Sequence, residues 1–190
     1  MTLLLATRNE HKLREFARLL GREAVDPLPD GIELPPETGA TFADNALAKA
    51  RAASAATGRR PIADDSGIEA VALGGAPGVR SARFAGPSAT DAENLALLRS
   101  SAPPGSALAY VCALAYVDPA SGTERLVEGR CTGVMSAEAR GAGGFGYDPV
   151  FLPDACPDGR TMAELGDAEK DAISHRGAAV RALLAAPEGG

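Results

Sequence analysis

Strand-like apolar runs alternate along this chain with segments of helical periodicity, and that alternation limits it to a mixed sheet flanked by helices. Leu3-Leu4-Leu5-Ala6-Thr7 reads as a buried strand. Leu13, Phe16, Ala17 and Leu20 follow at helical spacing, with Gly21 as the stop. Residues 26–36 form a linker rich in Pro and Asp. A second helix is expected from Thr41, capped with the help of Asp44, through Ala46, Lys49, Ala50 and Ala53 to Gly58. Pro61-Ile62-Ala63 reads as a short strand leading into Asp64-Asp65-Ser66-Gly67. Thr90 and Glu93 open a third helix that ends near Arg99. Residues 107–117 and 126–135 read as strands joined by a turn at 119–122. A glycine-rich loop at 141–148 precedes a short strand at 149–152, and helical segments begin near Met162 and His175. The expected class is α/β (mixed α+β), in a single domain over residues 1–190 that can take the form of two joined lobes.

Composition narrows the function. Aromatics make up 4% of the chain and Trp is absent, so the core is expected to rest mainly on Ala, Val, Leu and Ile. The net charge of −6 argues against non-specific binding to nucleic acid or to an anionic membrane. Phosphate can still be held through a few placed cations and backbone donors. No apolar stretch reaches membrane-spanning length, and the first residues lack the pattern of a signal peptide. The three cysteines, Cys112, Cys131 and Cys156, show neither zinc spacing nor a disulfide framework. A reducing cytoplasm is therefore the expected compartment. The chain uses 16 Arg but only three Lys, Lys12, Lys49 and Lys170. Where Arg is the default cation, a retained Lys can mark a place that needs a compact ammonium; chance survival on the surface is the alternative.

Several segments carry candidate chemistry. Thr7-Arg8-Asn9-Glu10-His11-Lys12 lies at a strand-to-helix junction, where free N–H groups and the helix dipole suit phosphate; an ordinary N-cap with solvated charges fits equally. Glu37-Thr38-Gly39 is followed by Asn45 and Lys49, which share one helix face. Asp64 and Asp65 at a strand end suit a hard cation such as Mg²⁺, and one of them could orient or deprotonate a water; an acidic turn is the alternative. Gly141-Ala142-Gly143-Gly144-Phe145-Gly146-Tyr147-Asp148 matches G-x-G-x-x-G, but Pro149 and an apolar strand follow instead of the helix a dinucleotide site requires. A loop presenting Phe145 and Tyr147 to a flat base fits better. Ser174 reads as an N-cap, placing His175 and Arg176 on a first turn where cations oppose the dipole; an anionic or carbonyl-rich ligand, or a solvated helix start, accounts for this.

In this order, Thr-x-Asn-x-x-Lys, Glu-Thr-Gly-x-Thr-Phe-x-x-Asn-Ala, Ala-Asp-Asp-Ser-Gly, Gly-Gly-Ala-Pro-Gly-Val-x-Ser-Ala-Arg, Gly-Gly-Phe-Gly-Tyr-Asp-Pro-Val-Phe and Ser-His-Arg-Gly resemble the inosine triphosphate pyrophosphatase family, nearly end to end. The resemblance implies an elongated central mixed sheet flanked by helices, with two lobes and an active-site cleft between them. It also implies a homodimer, a requirement for Mg²⁺, and hydrolysis of deaminated purine triphosphates (ITP, dITP, XTP) to the monophosphate and pyrophosphate. Carried over by motif, Thr7, Arg8, Asn9, Glu10, His11 and Lys12, with Lys49, grip the triphosphate. Glu37, Asp64 and Asp65 hold Mg²⁺ and activate water, with Asp65 as proton acceptor. Ser66 touches substrate beside them. Phe145, Gly146, Tyr147 and Asp148 form the base pocket, with Phe145 stacking. Lys170, His175 and Arg176 read the base edge. Two positions depart from the pattern: Arg8 stands where many members have Gly, and Pro36 where many have an acidic residue. The metal's carboxylate set is therefore open among Glu37, Asp64 and Asp65. A nucleotide sensor without catalysis and a hydrolase for modified pyrimidines are the alternatives, opposed by the full carboxylate set and by the His-Arg pair.

Overall fold

The computed structural model describes residues 2–185; the remainder of the expected 1–190 domain, Met1 and 186–190, lies outside the described residues. Six strands form one sheet in the order β2-β1-β3-β4-β5-β6: β1 (Leu3–Leu5), β2 (Val25–Pro27), β3 (Pro61–Ala70), β4 (Ala107–Asp118), β5 (Thr123–Met135) and β6 (Phe151–Pro153). Strand β1 runs parallel to both β2 and β3, whereas β5 and β6 are antiparallel, so the sheet is mixed. The helices are α1 (Glu10–Leu20), α2 (Phe42–Thr57), α3 (Asp91–Ser101), α4 (Asp167–Ile173) and α5 (His175–Ala185). None of these helices is long and apolar enough to cross a membrane.

Local chemistry fixes the helix ends. Thr41 and Asp44 cap one another's backbone at the start of α2, and Gly58 closes that helix in the left-handed conformation. Thr90 and Glu93 form the same reciprocal cap on α3. Asn9 caps α1 by accepting from the N–H groups of His11 and Lys12.

Three expectations are corrected. Strand β3 does not stop before the acidic motif: it continues through Asp64, Asp65, Ser66 and Gly67 to Ala70. These residues favour turns locally, but pairing inside the sheet and burial of the segment override that preference. The linker after α1 contains strand β2, which takes its register from β1, with Leu3 opposite Val25. Near Met162 there is only a short 3₁₀ turn, Met162–Glu164, and the true helix α4 starts at Asp167.

The chain divides into two compact units. The first comprises 2–65, 112–129 and 176–185, with a core of Leu5, Phe16, Val25, Ile62, Cys112, Leu114, Ala179, Val180 and Leu183. It is almost wholly aliphatic, as the composition implies. The second comprises 66–111 and 130–175. Its core gathers Tyr110, Tyr147 and Phe151 among Ile68, Leu98, Leu108, Val150 and Met162, so the few aromatics are spent disproportionately there. In this unit Gly67 lies against the 78–81 turn, where a Cβ would collide with Ser81 Oγ and come within 2.7 Å of Gly78 O. Ser81 Oγ accepts from Ile68 N (2.8 Å) and donates to Gly78 O (2.6 Å), so the glycine lets the Gly-Gly-Ala-Pro-Gly segment fasten onto β3.

Candidate active site

Charged side chains are buried in both units. In the first, α1 carries Lys12 and Glu15, α2 carries Asn45 and Lys49, β3 carries Asp64 and Asp65, and α5 begins its share at Arg176. Lys12 Nζ is 2.8 Å from Asp64 Oδ2. Arg176 Nε is 3.6 Å from the same oxygen, and Arg176 Nη1 donates to Glu15 Oε2 at 2.8 Å. Glu15–Arg176–Asp64–Lys12 is thus a chain of alternating charges. Burial alone would raise the Asp64 pKa, but Lys12, Arg176 and Lys49 outweigh it and hold the carboxyl well below its ordinary value. Arg176 shifts upward for the matching reason: burial works against its charge, but Glu15 and Asp64 favour it more strongly.

The neighbouring carboxylates behave differently. Lys49 Nζ donates to Glu37 Oε1 at 2.6 Å and lies 3.9 Å from Asp65 Oδ1. Asn45 Nδ2 donates to Asp65 Oδ2 at 2.8 Å, while Asn45 Oδ1 accepts from Gly39 N at 2.7 Å. Asp65 is raised above its usual value, first by burial and then by the Glu37 charge; Lys49 and the Asn45 bond only partly compensate. Glu37 is lowered, because Lys49 outweighs its partial burial. Two adjacent aspartates in one strand are therefore shifted in opposite directions. Among the described residues, no group of three or more His, Cys, Asp or Glu is arranged to hold a metal by itself. Glu37 and Asp65, converging on one ammonium, are the hard oxygen donors that fit a divalent cation best.

At the start of α1, Thr7 Oγ1 accepts from Asn9 N (3.2 Å), and Asn9 Oδ1 accepts from His11 N (2.9 Å) and Lys12 N (3.2 Å). The Thr7 O–H and the Asn9 amide N–H groups can still donate. Arg8 turns aside: its guanidinium donates to the carbonyls of Leu28 (2.8 Å), Pro29 (2.6 Å) and Ile32 (3.0 Å). It clamps the linker, which accounts for an arginine at this position. Glu10 and His11 are exposed, and both approach Arg14.

In the second unit, Asp148 is a hub. Its Oδ2 accepts from Lys170 Nζ (2.7 Å) and Phe145 N (3.0 Å), and its Oδ1 accepts from Tyr110 Oη (2.9 Å). Lys170 Nζ also lies 5.3 Å from the centre of the Phe145 ring. The His175 ring stacks on Tyr110 at 4.7 Å and 7°. Tyr147 is buried with its hydroxyl donating to Ser81 O (2.7 Å), so of the two loop aromatics only half-buried Phe145 retains an accessible face. Gly146 N donates to Asp91 Oδ2 (3.0 Å). Ser174 closes α4 through its N–H to Lys170 O (2.8 Å), directly before α5 begins at His175. Ser66 is half-buried at the point where β3 enters this unit.

The three lysines all occupy these clusters, with side chains only 12%, 9% and 5% exposed for Lys12, Lys49 and Lys170. Sequence reasoning missed Glu15, Tyr110 and Asp91. The one available signal for Glu15 was its spacing of three from Lys12, which puts both on one face of α1.

A dITP/XTP pyrophosphatase of Frankia alni is 50% identical over 196 residues, covering 96% of this chain and 95% of the relative. One of Mycobacterium tuberculosis is 49% identical over 202 residues, covering 97% and 94%. Among solved structures, a HAM1 protein from Coxiella burnetii superposes with a TM-score of 0.82 at 38% identity, covering 96% of both chains. A nucleoside-triphosphatase / dITP/XTP pyrophosphatase from Mycobacterium abscessus superposes with a TM-score of 0.73 at 45% identity, covering 98% of this chain and all of that one. The sequence profile of the Ham1 family matches residues 3–186, and the chain belongs to that family.

Proposed function

We propose that this chain is a Mg²⁺-dependent nucleoside-triphosphate pyrophosphohydrolase that cuts deaminated purine nucleotides (ITP, dITP, XTP) to the monophosphate and pyrophosphate, keeping them out of DNA and RNA. The observation that carries this reading is the pair Glu37 and Asp65 on one ammonium, beside a separately neutralised Asp64. The names of its relatives point the same way.

In this reading Glu37 and Asp65 would be the carboxylates that hold Mg²⁺. The bound ion supplies positive charge against the triphosphate and the leaving pyrophosphate. Lys49 is released from Glu37 to a phosphate oxygen. Thr7, Asn9 and Lys12 donate to the triphosphate. Asp64 holds Lys12 and Arg176 in place. Asp65 accepts the proton of the attacking water. The water oxygen bonds to the α-phosphorus and the bond to the β-bridging oxygen breaks.

Phe145 stacks on the base within the loop 145–148, and Lys170, His175 and Arg176 donate to its edge. A 6-keto oxygen accepts these bonds; the amino group of adenine faces them donor to donor, an unpaired arrangement costing about 1–3 kcal/mol. We also assign the protein to the cytoplasm, in keeping with three free cysteines, and to a homodimer. The decisive experiment measures pyrophosphate release with Mg²⁺ or with EDTA, comparing ITP and XTP with ATP and GTP. Release of single phosphates, or equal rates on all four, overturns the assignment.

A further inference from the structure

We propose that Tyr110 is a positioning residue for base selection, acting on His175 through its ring and on Lys170 through Asp148. Tyr110 is buried in β4, distant in sequence from both the acidic motif and the glycine-rich loop. Its ring lies flat against His175, with centroids 4.7 Å apart, and tilts at 47° against Phe151 behind it. Its hydroxyl donates to Asp148 Oδ1, the oxygen that neither Lys170 nor Phe145 N uses. One side chain therefore sets the plane of the imidazole and the rotation of the carboxylate that anchors the ammonium.

Each contact has a physical consequence. The Asp148–Lys170 pair is removed from water, and a buried carboxylate holds its partner in one place only if both oxygens are satisfied. The tyrosine supplies the second oxygen's donor. Without it, Asp148 can turn toward another donor, carrying Lys170 Nζ and Phe145 N with it. Both of these lie where the base is assigned. A group that discriminates a keto oxygen from an amino group works only while its donors cannot swing away to accommodate the wrong partner.

This inference rests on the proposed purine specificity, and its test separates the two. Wild type and Tyr110→Phe are compared by kcat/KM for ITP and for ATP, with circular dichroism and thermal melting to verify folding. Phenylalanine keeps the stack on His175 and removes only the hydroxyl. The expected result is a fall of about tenfold in the ITP-to-ATP ratio, the scale of one buried hydrogen bond. The fall should appear mainly in KM for ITP. A loss of general stability would lower both substrates alike and leave the ratio unchanged. An unchanged ratio in folded Tyr110→Phe overturns the role of Tyr110 alone, whereas a wild type without preference for ITP overturns the functional reading itself. Should Tyr110→Phe fail to fold, Tyr110→His, which keeps an aromatic ring without the phenol's reach, decides in the same assay: an unchanged ratio overturns the role of Tyr110, and a fallen one supports it.

Discussion

Asn45 Nδ2 donates a 2.8 Å hydrogen bond to Asp65 Oδ2, and this bond leaves Oδ1 as the oxygen turned toward Lys49. The other end of the same amide accepts from Gly39 N, so one asparagine ties the Glu-Thr-Gly segment to the acidic strand. Asn45→Ala removes a donor that favours the ionised carboxylate. Asp65, already raised by burial and by Glu37, then rises further. If Asp65 must be ionised to accept a proton, the acidic limb of the kcat profile moves to higher pH. Rate profiles of the two proteins check this, and a limb that stays in place or moves to lower pH counts against Asp65 as the base.

Asp65→Asn should lower turnover by roughly 10²–10⁴-fold, the range for a positioned general base. It should not weaken the fold. A group whose pKa is raised by folding contributes stability below its unfolded pKa and loses that contribution as pH rises through the folded one. At pH 7 the buried charge is therefore a cost, and the amide can still accept from Asn45. The melting temperature is expected to equal or exceed that of wild type; a clear drop would assign Asp65 to structure instead.

Its neighbour should respond in the opposite way. Burial works against the Asp64 charge, yet Lys12, Arg176 and Lys49 push its folded pKa below the unfolded value. The stability it supplies is present above the unfolded carboxylate pKa, near 3.9, and is lost as pH falls toward the folded value. Asp64→Asn leaves Lys12 without its anion and should cost about 3–5 kcal/mol at pH 7. Urea unfolding of both proteins should show that difference shrinking below about pH 4. A constant difference across pH would mean that the loss comes from packing.

What the sequence disclosed depended on whether the cause was local. The caps at Thr41 and Thr90 were legible because a side chain and a backbone N–H three residues away decide them. Strand β2 was not, because three residues ending in proline become a strand only through β1. The continuation of β3 was hidden for the same reason: Asp-Asp-Ser-Gly has turn chemistry, and only sheet pairing and burial beside lysines contradict it. In the site, residues with distinctive chemistry stood out, notably three lysines in an arginine-rich chain. Their holders did not. Glu15 looks like a solvated helix residue, and Tyr110 looks like one more apolar residue of a buried strand, until the partners from residues 161 and 38 positions away are seen.

Gly144 offers a test confined to the unit to which base binding is assigned. Its φ is +68°, and an added Cβ would run into the Asp148 carboxylate and lie 3.0 Å from Lys170 Nζ. Gly144→Ala combines left-handed strain of about 1 kcal/mol with displacement of that ion pair. Both effects fall on Phe145 and Lys170, while Glu37, Lys49 and Asp65 keep their contacts. KM for ITP should therefore rise more than kcat falls, and inhibition by inorganic pyrophosphate, which has no base, should stay near the wild-type level. Titrating pyrophosphate against both proteins distinguishes the cases. Equal weakening toward ITP and pyrophosphate would mean that the loop supports the whole site and does not serve the base alone.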